Sequence, residues 1–189
     1  MPTLLPRLTT FALITAAAPA FAAGEYAQTA NLILKPYNVT IDMTLTPGRA
    51  VADRLIDEID RDEDGKISRQ ERDAYGMEVR RGLFVELDGY RLSVNLVTIS
   101  MPEVDALRRG TGTIQVQLFV DLPRSAEGYY RLVFHNDHEP VTSRYEANVR
   151  TDGNARLKIL EQHLIDRRRE LAVEFSLAED AGYTERKRT

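Results

Sequence analysis

The chain reads as a mainly β protein, an antiparallel sandwich into which one helix–loop–helix is inserted. Three observations predict this. Apolar and polar residues alternate in run after run, an Asp-Gly pair separates two such runs, and the stretch from about Pro47 to Leu83 switches to helical spacing. The 189 residues are 43% hydrophobic, enough for one domain with a substantial core.

The first alternating run is Val39, Ile41, Met43 and Leu45, interleaved with Asn38, Thr40, Asp42 and Thr44. This is the pattern of a strand with one buried face. Thr46 and Pro47 then read as the N-cap and first residue of a helix. Val51, Leu55, Ile56 and Ile59 recur at helical spacing before an acidic loop, as do Tyr75, Val79 and Leu83 after it. Val85 and Leu87 lead into Asp88-Gly89, and Leu92, Val94 and Leu96 follow. Asp-Gly between alternating runs signals a hairpin, because a type I′ turn needs positive φ at both central residues. Met101 to Gly110, with Pro102, reads as an irregular connection or a short helical turn. Ile114, Val116, Leu118, Val120 and Leu122 form a third clean strand, ended by Pro123. Tyr130, Leu132 and Phe134 form another, and Tyr145, Ala147 and Val149 a weaker one before the turn at Asp152-Gly153. Leu157 to Leu160 and the in-phase set Leu171, Val173, Phe175 and Leu177 read as a final pair, with Glu161 to Glu170 open between a long hairpin and a short helix. Seven or eight short strands with turns between them predict an immunoglobulin-like antiparallel sandwich. The helix–loop–helix is then an insertion at about 47–83 within a single domain spanning 23–189.

The loop itself carries the chemistry. Residues 60 to 71 read DRDEDGKISRQE. Asp60, Asp62 and Asp64 stand at the first, third and fifth places, Gly65 at the sixth, Ile67 at the eighth, Ser68 at the ninth and Glu71 at the twelfth. A hard divalent cation takes six to eight oxygens, and alternating carboxylates converge on it only if the backbone curls tightly. Gly65 permits the curl because it lacks a Cβ. Lys66 is acceptable at the seventh place, where only the backbone carbonyl is used, and Glu71 is long enough to close the cage. The stretch resembles the calcium loop of the EF-hand superfamily, which implies Ca2+ as the bound ion and Asp60, Asp62, Asp64, Lys66, Ser68 and Glu71 as its ligands. Arg72 departs from that pattern, since the place after the closing Glu is usually apolar.

The larger arrangement is similar to bacterial exported domains in which one EF-hand interrupts a small β-sandwich, some beside or fused to nickel/cobalt transporters. The strand VTIDMTL, the hairpin VELDGYRLSV, the strand GTIQVQLFV and the segment YRLVFHNDHEP carry this resemblance. It implies a calcium-binding protein with an envelope protein or transporter as partner, acting as an accessory. No second loop matches, so Ile67 is expected to find a partner in the host sheet or in the same loop of another copy. The helices contain only Met77, which favours a structural calcium over a Met-rich groove that opens on binding. A calcium-responsive sensor or buffer is the alternative.

Five further readings complete the expectation. His135, Asp137 and His138 lie close together and offer a second candidate metal site, against the plainer reading of a surface turn marked by Pro140. Neither a nucleophile elbow nor a zincin helix nor a phosphate-binding glycine loop is present, so enzymatic activity is not expected. The formal charge of −4 gives no bulk attraction to nucleic acid. Arg7, the apolar run Leu8 to Ala18 and the small-x-small box Ala20-Phe21-Ala22 read as a signal peptide cleaved after about Ala22, giving a periplasmic or secreted protein with no membrane span in its mature form. The lack of cysteine leaves stability to packing and bound metal.

Overall fold

The alternating runs become two sheets. The computed structural model describes residues 25–124, 126–139, 143–165 and 169–179. The expected leader at 1–22 and Pro140 lie outside the described residues.

In chain order the elements are β1 (Tyr26–Lys35), β2 (Asn38–Pro47), α1 (Arg49–Ile59), α2 (Arg69–Arg81), β3 (Leu83–Leu87), β4 (Tyr90–Leu92), β5 (Val94–Ser100), α3 (Val104–Arg108), β6 (Ile114–Asp121), β7 (Gly128–Asn136), β8 (Ser143–Thr151), β9 (Leu157–Ile165) and β10 (Glu170–Leu177). One sheet has the order β5-β6-β2-β1-β8 and the other β4-β3-β7-β10-β9. The molecule is mainly β, with a single core shared by both sheets: Leu34, Ile41 and Leu118 from the first join Leu132, Phe134 and Val173 from the second in one buried cluster.

Several expectations need correction. The strand at Asn38 is the second, not the first. β1 precedes it and pairs with it antiparallel, from Tyr26 opposite Pro47 to Lys35 opposite Asn38. Its buried residues include Tyr26, Gln28, Ala30, Leu32 and Leu34, and the buried Gln28 and small Ala30 blur the period-two signal. β1 also pairs in parallel with β8, so the sandwich is not wholly antiparallel. Thr46 and Pro47 end β2 instead of starting α1. Gly48 is the N-cap of α1, and its amide donates to the Glu25 carbonyl at 2.8 Å. Residues 161–165 extend β9 and Glu170 opens the antiparallel β10, in line with the long-hairpin alternative; 166–168 lie outside the described residues. Met101 to Gly110 contains the short helix α3.

The Asp-Gly hairpin forms as expected between β3 and β4, with positive φ at both Asp88 (50°) and Gly89 (82°). Asp88 also joins this turn to β7, exchanging hydrogen bonds with the Arg131 main chain at 2.8 and 2.9 Å. After β4 the chain crosses to the other sheet as β5.

The helix–loop–helix links β2 of one sheet to β3 of the other. Val51, Leu55, Ile56 and Ile59 of α1 and Tyr75 and Val79 of α2 are buried in the common core. Leu83, read from the sequence as helical, belongs to β3 and is buried there. α2 lies close over β5: a Cβ on Gly76 would stand 2.9 Å from Leu96 Cδ2 and 3.1 Å from Ile99 Cγ2. The Arg80 guanidinium adds a bond to the Val94 carbonyl at 2.7 Å.

A buried polar network pins α2 to both sheets. The Tyr75 hydroxyl meets the Tyr26 hydroxyl of β1 and, at 3.1 Å, His138 Nε2 just beyond β7. The His138 carbonyl accepts from Gln28 Nε2 at 2.9 Å and from the Tyr145 hydroxyl of β8. Asn136 closes the circuit, accepting from the His138 amide at 3.0 Å and donating to Gln28 Oε1 at 2.9 Å. These residues are all buried, so their mutual hydrogen bonds offset the cost of removing them from water.

Burial lowers the His138 pKa to about 4, only partly opposed by the negative charge of Glu139. The unfolded imidazole titrates near 6.5, so between these values the unfolded chain binds a proton that the folded chain does not. Stability contributed by neutral His138 is therefore complete above about pH 6.5 and is lost as pH falls toward 4, by on the order of 3 kcal/mol. Urea unfolding at pH 7, 5 and 4 in chelator, compared with His138→Gln, checks this. The variant should lose less stability across that interval, and identical pH dependence would refute the assignment.

Candidate metal centre

The local fold of the loop follows from its side chains. α1 stops at Asp60, whose amide still donates to the Ile56 carbonyl at 2.7 Å. The Asp60 carboxylate then turns forward and accepts the amides of Asp64 at 3.2 Å and Gly65 at 2.9 Å. Asp62 Oδ1 also accepts the Asp64 amide at 3.3 Å, and Asp64 Oδ1 accepts the Lys66 amide at 2.8 Å. Side chains hydrogen-bonding to amides two to five residues on curl the backbone in the manner of Asx turns. Gly65 sits at φ +80°, the left-handed region that its lack of a side chain permits.

α2 starts on a capping box. The Ser68 hydroxyl accepts the Glu71 amide at 3.3 Å, and Glu71 Oε2 accepts the Ser68 amide at 2.9 Å. Glu71 Oε1 reaches back across the loop to the Arg61 amide at 2.7 Å. One carboxylate thus joins the start of the loop to its end. The ion pair from Arg61 to Glu78 at 2.6 Å spans the same gap on the surface, where such a contact adds at most about 1 kcal/mol.

Asp60, Asp62 and Glu71 converge. One carboxylate oxygen from each lies within 4.8 Å of the others; Asp60 and Glu71 are buried and Asp62 is exposed. Three like charges at this separation repel one another. The hydrogen bond from the Asp64 amide favours ionised Asp62, but partial desolvation and the charges of Asp64, Glu71 and Asp60 together outweigh it and raise the Asp62 pKa. Glu71 moves the other way: hydrogen bonds from the Ser68 amide, and then the other contacts with Ser68 and the Arg61 amide, hold its carboxyl below the usual value. The site is therefore an all-oxygen, strongly anionic group, which suits a hard divalent cation.

Of the four carboxylates among the expected ligands, Asp60, Asp62 and Glu71 form one group. Asp64 is turned to the Lys66 amide, and Ser68 is occupied as the helix cap. The Lys66 side chain is exposed, in keeping with a place that needs only a carbonyl. Ile67 is half-buried against the common core and lines a cleft with Met101, Pro102 and Val104, so the segment around α3 supplies its apolar neighbours. Arg72 lines the same cleft and pairs with Asp73 at 3.3 Å.

The second candidate site does not assemble. His135 points away from the core on β7, 3.8 Å from Glu170 and beside the Phe84 ring. Exposed Asp137 pairs with Arg169 at 2.9 Å, and buried His138 bonds to Tyr75. Among the described residues, the acidic group at Asp60, Asp62 and Glu71 is the one cluster with metal-ligand spacing. The role of His138 in the core network has no signal in the local sequence, because its partners are far away along the chain.

Among the described residues, no helix is long and apolar enough to cross a membrane. Comparisons with protein-family models, with curated proteins and with solved structures found no match to this chain.

Proposed function

We propose that the loop from Asp60 to Glu71 is a single EF-hand binding one Ca2+ ion, and that the ion fixes α1 and α2 against the immunoglobulin-like sandwich of an exported protein. The convergence of Asp60, Asp62 and Glu71 on a curled loop between two helices carries this reading. Asp60, Asp62, Asp64 and Glu71 would hold the ion through carboxylates, Lys66 through its carbonyl, and Ser68 by way of water. Bound calcium supplies charge neutralisation and cross-linking of the loop.

A structural role fits better than a sensor. The apolar faces of α1 and α2 are spent on the core shared with both sheets, and Tyr75 is tied into the buried network. Opening the helices would expose that surface. The leader at 1–22 would place the protein in the periplasm or outside the cell, where weak calcium affinity suffices. By the resemblance of its strands and inserted hand, its partner would be an envelope protein or a metal transporter, with the chain as an accessory and not an enzyme.

Thermal melts in calcium and in chelator test the proposal. At calcium tenfold above Kd, binding adds about 1.4 kcal/mol, expected as a rise in Tm of roughly 3–5 °C for a domain of this size. Equal melting temperatures would rule out a stabilising calcium.

A further inference from the structure

We propose that the outer edge of β9 is a self-association surface, at which two copies of this chain pair antiparallel about Gln162 and join their β9-bearing sheets into one. β9 ends its sheet, with β10 as its one hydrogen-bonded neighbour among the described residues. An open edge offers a row of unpaired backbone donors and acceptors, which proteins ordinarily keep short or charged. β4, at the other end of the sheet, has only three residues. β8, an edge of the facing sheet, carries Arg144, Glu146 and Arg150. β9 is nine residues long, and it leaves Leu160, Leu164 and Ile165 exposed by 42%, 45% and 43%.

The occupant follows from the order of side chains. Residues 159–165 read Ile-Leu-Glu-Gln-His-Leu-Ile, the same in both directions except that Glu161 exchanges with His163. Antiparallel pairing about Gln162 sets the Glu161 carboxylate of each copy against the His163 imidazole of the other, on one face of the joined sheet, where these two residues lie opposite Glu174 and Ala172 of β10. A two-fold interface must be self-complementary in this way, and every unlike pair occurs twice. Glu161 and His163 are both exposed, at 62% and 60% of their side chains, and within one strand they lie 3.1 Å apart, at hydrogen-bond distance. Lys158 precedes the palindrome, and the bulge opposite Glu174 and Phe175 falls within it, at Leu160. From Glu161 to Ile165 the strand runs in regular register with β10.

Sedimentation of the full chain, as its host processes it, tests the pairing. It is run in chelator so that loop metal plays no part, over concentrations from roughly micromolar to millimolar. A concentration-dependent dimer is expected. Glu161→Lys, which replaces the carboxylate facing each imidazole with an ammonium, and independently His163→Glu, which opposes two carboxylates at two symmetric positions, should each weaken it roughly tenfold, and Leu164→Lys should weaken it further. The double variant Glu161→Lys/His163→Glu should restore association, because each new ammonium then faces a new carboxylate across the axis. Circular dichroism confirms that each variant stays folded, and either single charge change suffices if the other does not. A chain monomeric throughout, a dimer indifferent to all three single changes, or a double variant as weak as the single ones would overturn the proposal.

Discussion

Glu71→Gln should lower calcium affinity by on the order of a hundredfold while leaving the apo fold in place. The change removes one of the charges that define the proposed site and keeps the shape of the side chain. Glutamine can still accept the Ser68 amide, since a capping box tolerates Gln as well as Glu, so the start of α2 is preserved. In wild type the Glu71 carboxylate is already organised by the Ser68 and Arg61 amides and held in its charged form. Little reorganisation is then needed to meet a cation, and the loss on substitution reports mainly the missing charge. Isothermal titration of both proteins measures it, with melting temperatures in chelator as the control. Unchanged calcium heats would remove Glu71 from the ligand set and, with it, the EF-hand reading of the loop.

Ile56→Ala should destabilise the whole domain by about 2–5 kcal/mol, the cost of a large-to-small change in a buried site. Ile56 is 2% exposed and belongs to the same cluster as Leu118 and Phe134 of the two sheets. The inserted helices therefore form one cooperative unit with the sandwich, and a cavity under α1 weakens the common core. Urea unfolding in chelator should show a single transition moved to lower denaturant. A second early transition, with the main one unmoved, would mean that the helix–loop–helix unfolds as a separate unit. The same measurement bears on calcium: if unfolding is shared, any ion at the loop stabilises every strand equally through mass action.

The parts of this protein legible in the sequence are those set by neighbours along the chain. The proximity of the carboxylates of Asp60, Asp62 and Glu71, the curl at Gly65 and the Asp88-Gly89 turn depend on spacings of a few residues, and the structure has the three carboxylates in one group and positive φ at Gly65, Asp88 and Gly89. The same holds for β6, where strict alternation matches one buried face. Where inward positions hold polar or small residues the signal fails, which is why Gln28 and Ala30 hid β1. The fate of the histidines also lay beyond local reading. His135 sits on a strand whose neighbours Phe134 and Asn136 are buried, so it turns outward, while His138 lies past the strand's end and turns in. Only the tertiary structure could separate them, and only it could bring Tyr26, Tyr75 and His138 together or set β1 in parallel beside β8. Loop chemistry is determined by short-range geometry. The network and sheet order arise from contacts between distant segments, which form only when the common core is buried.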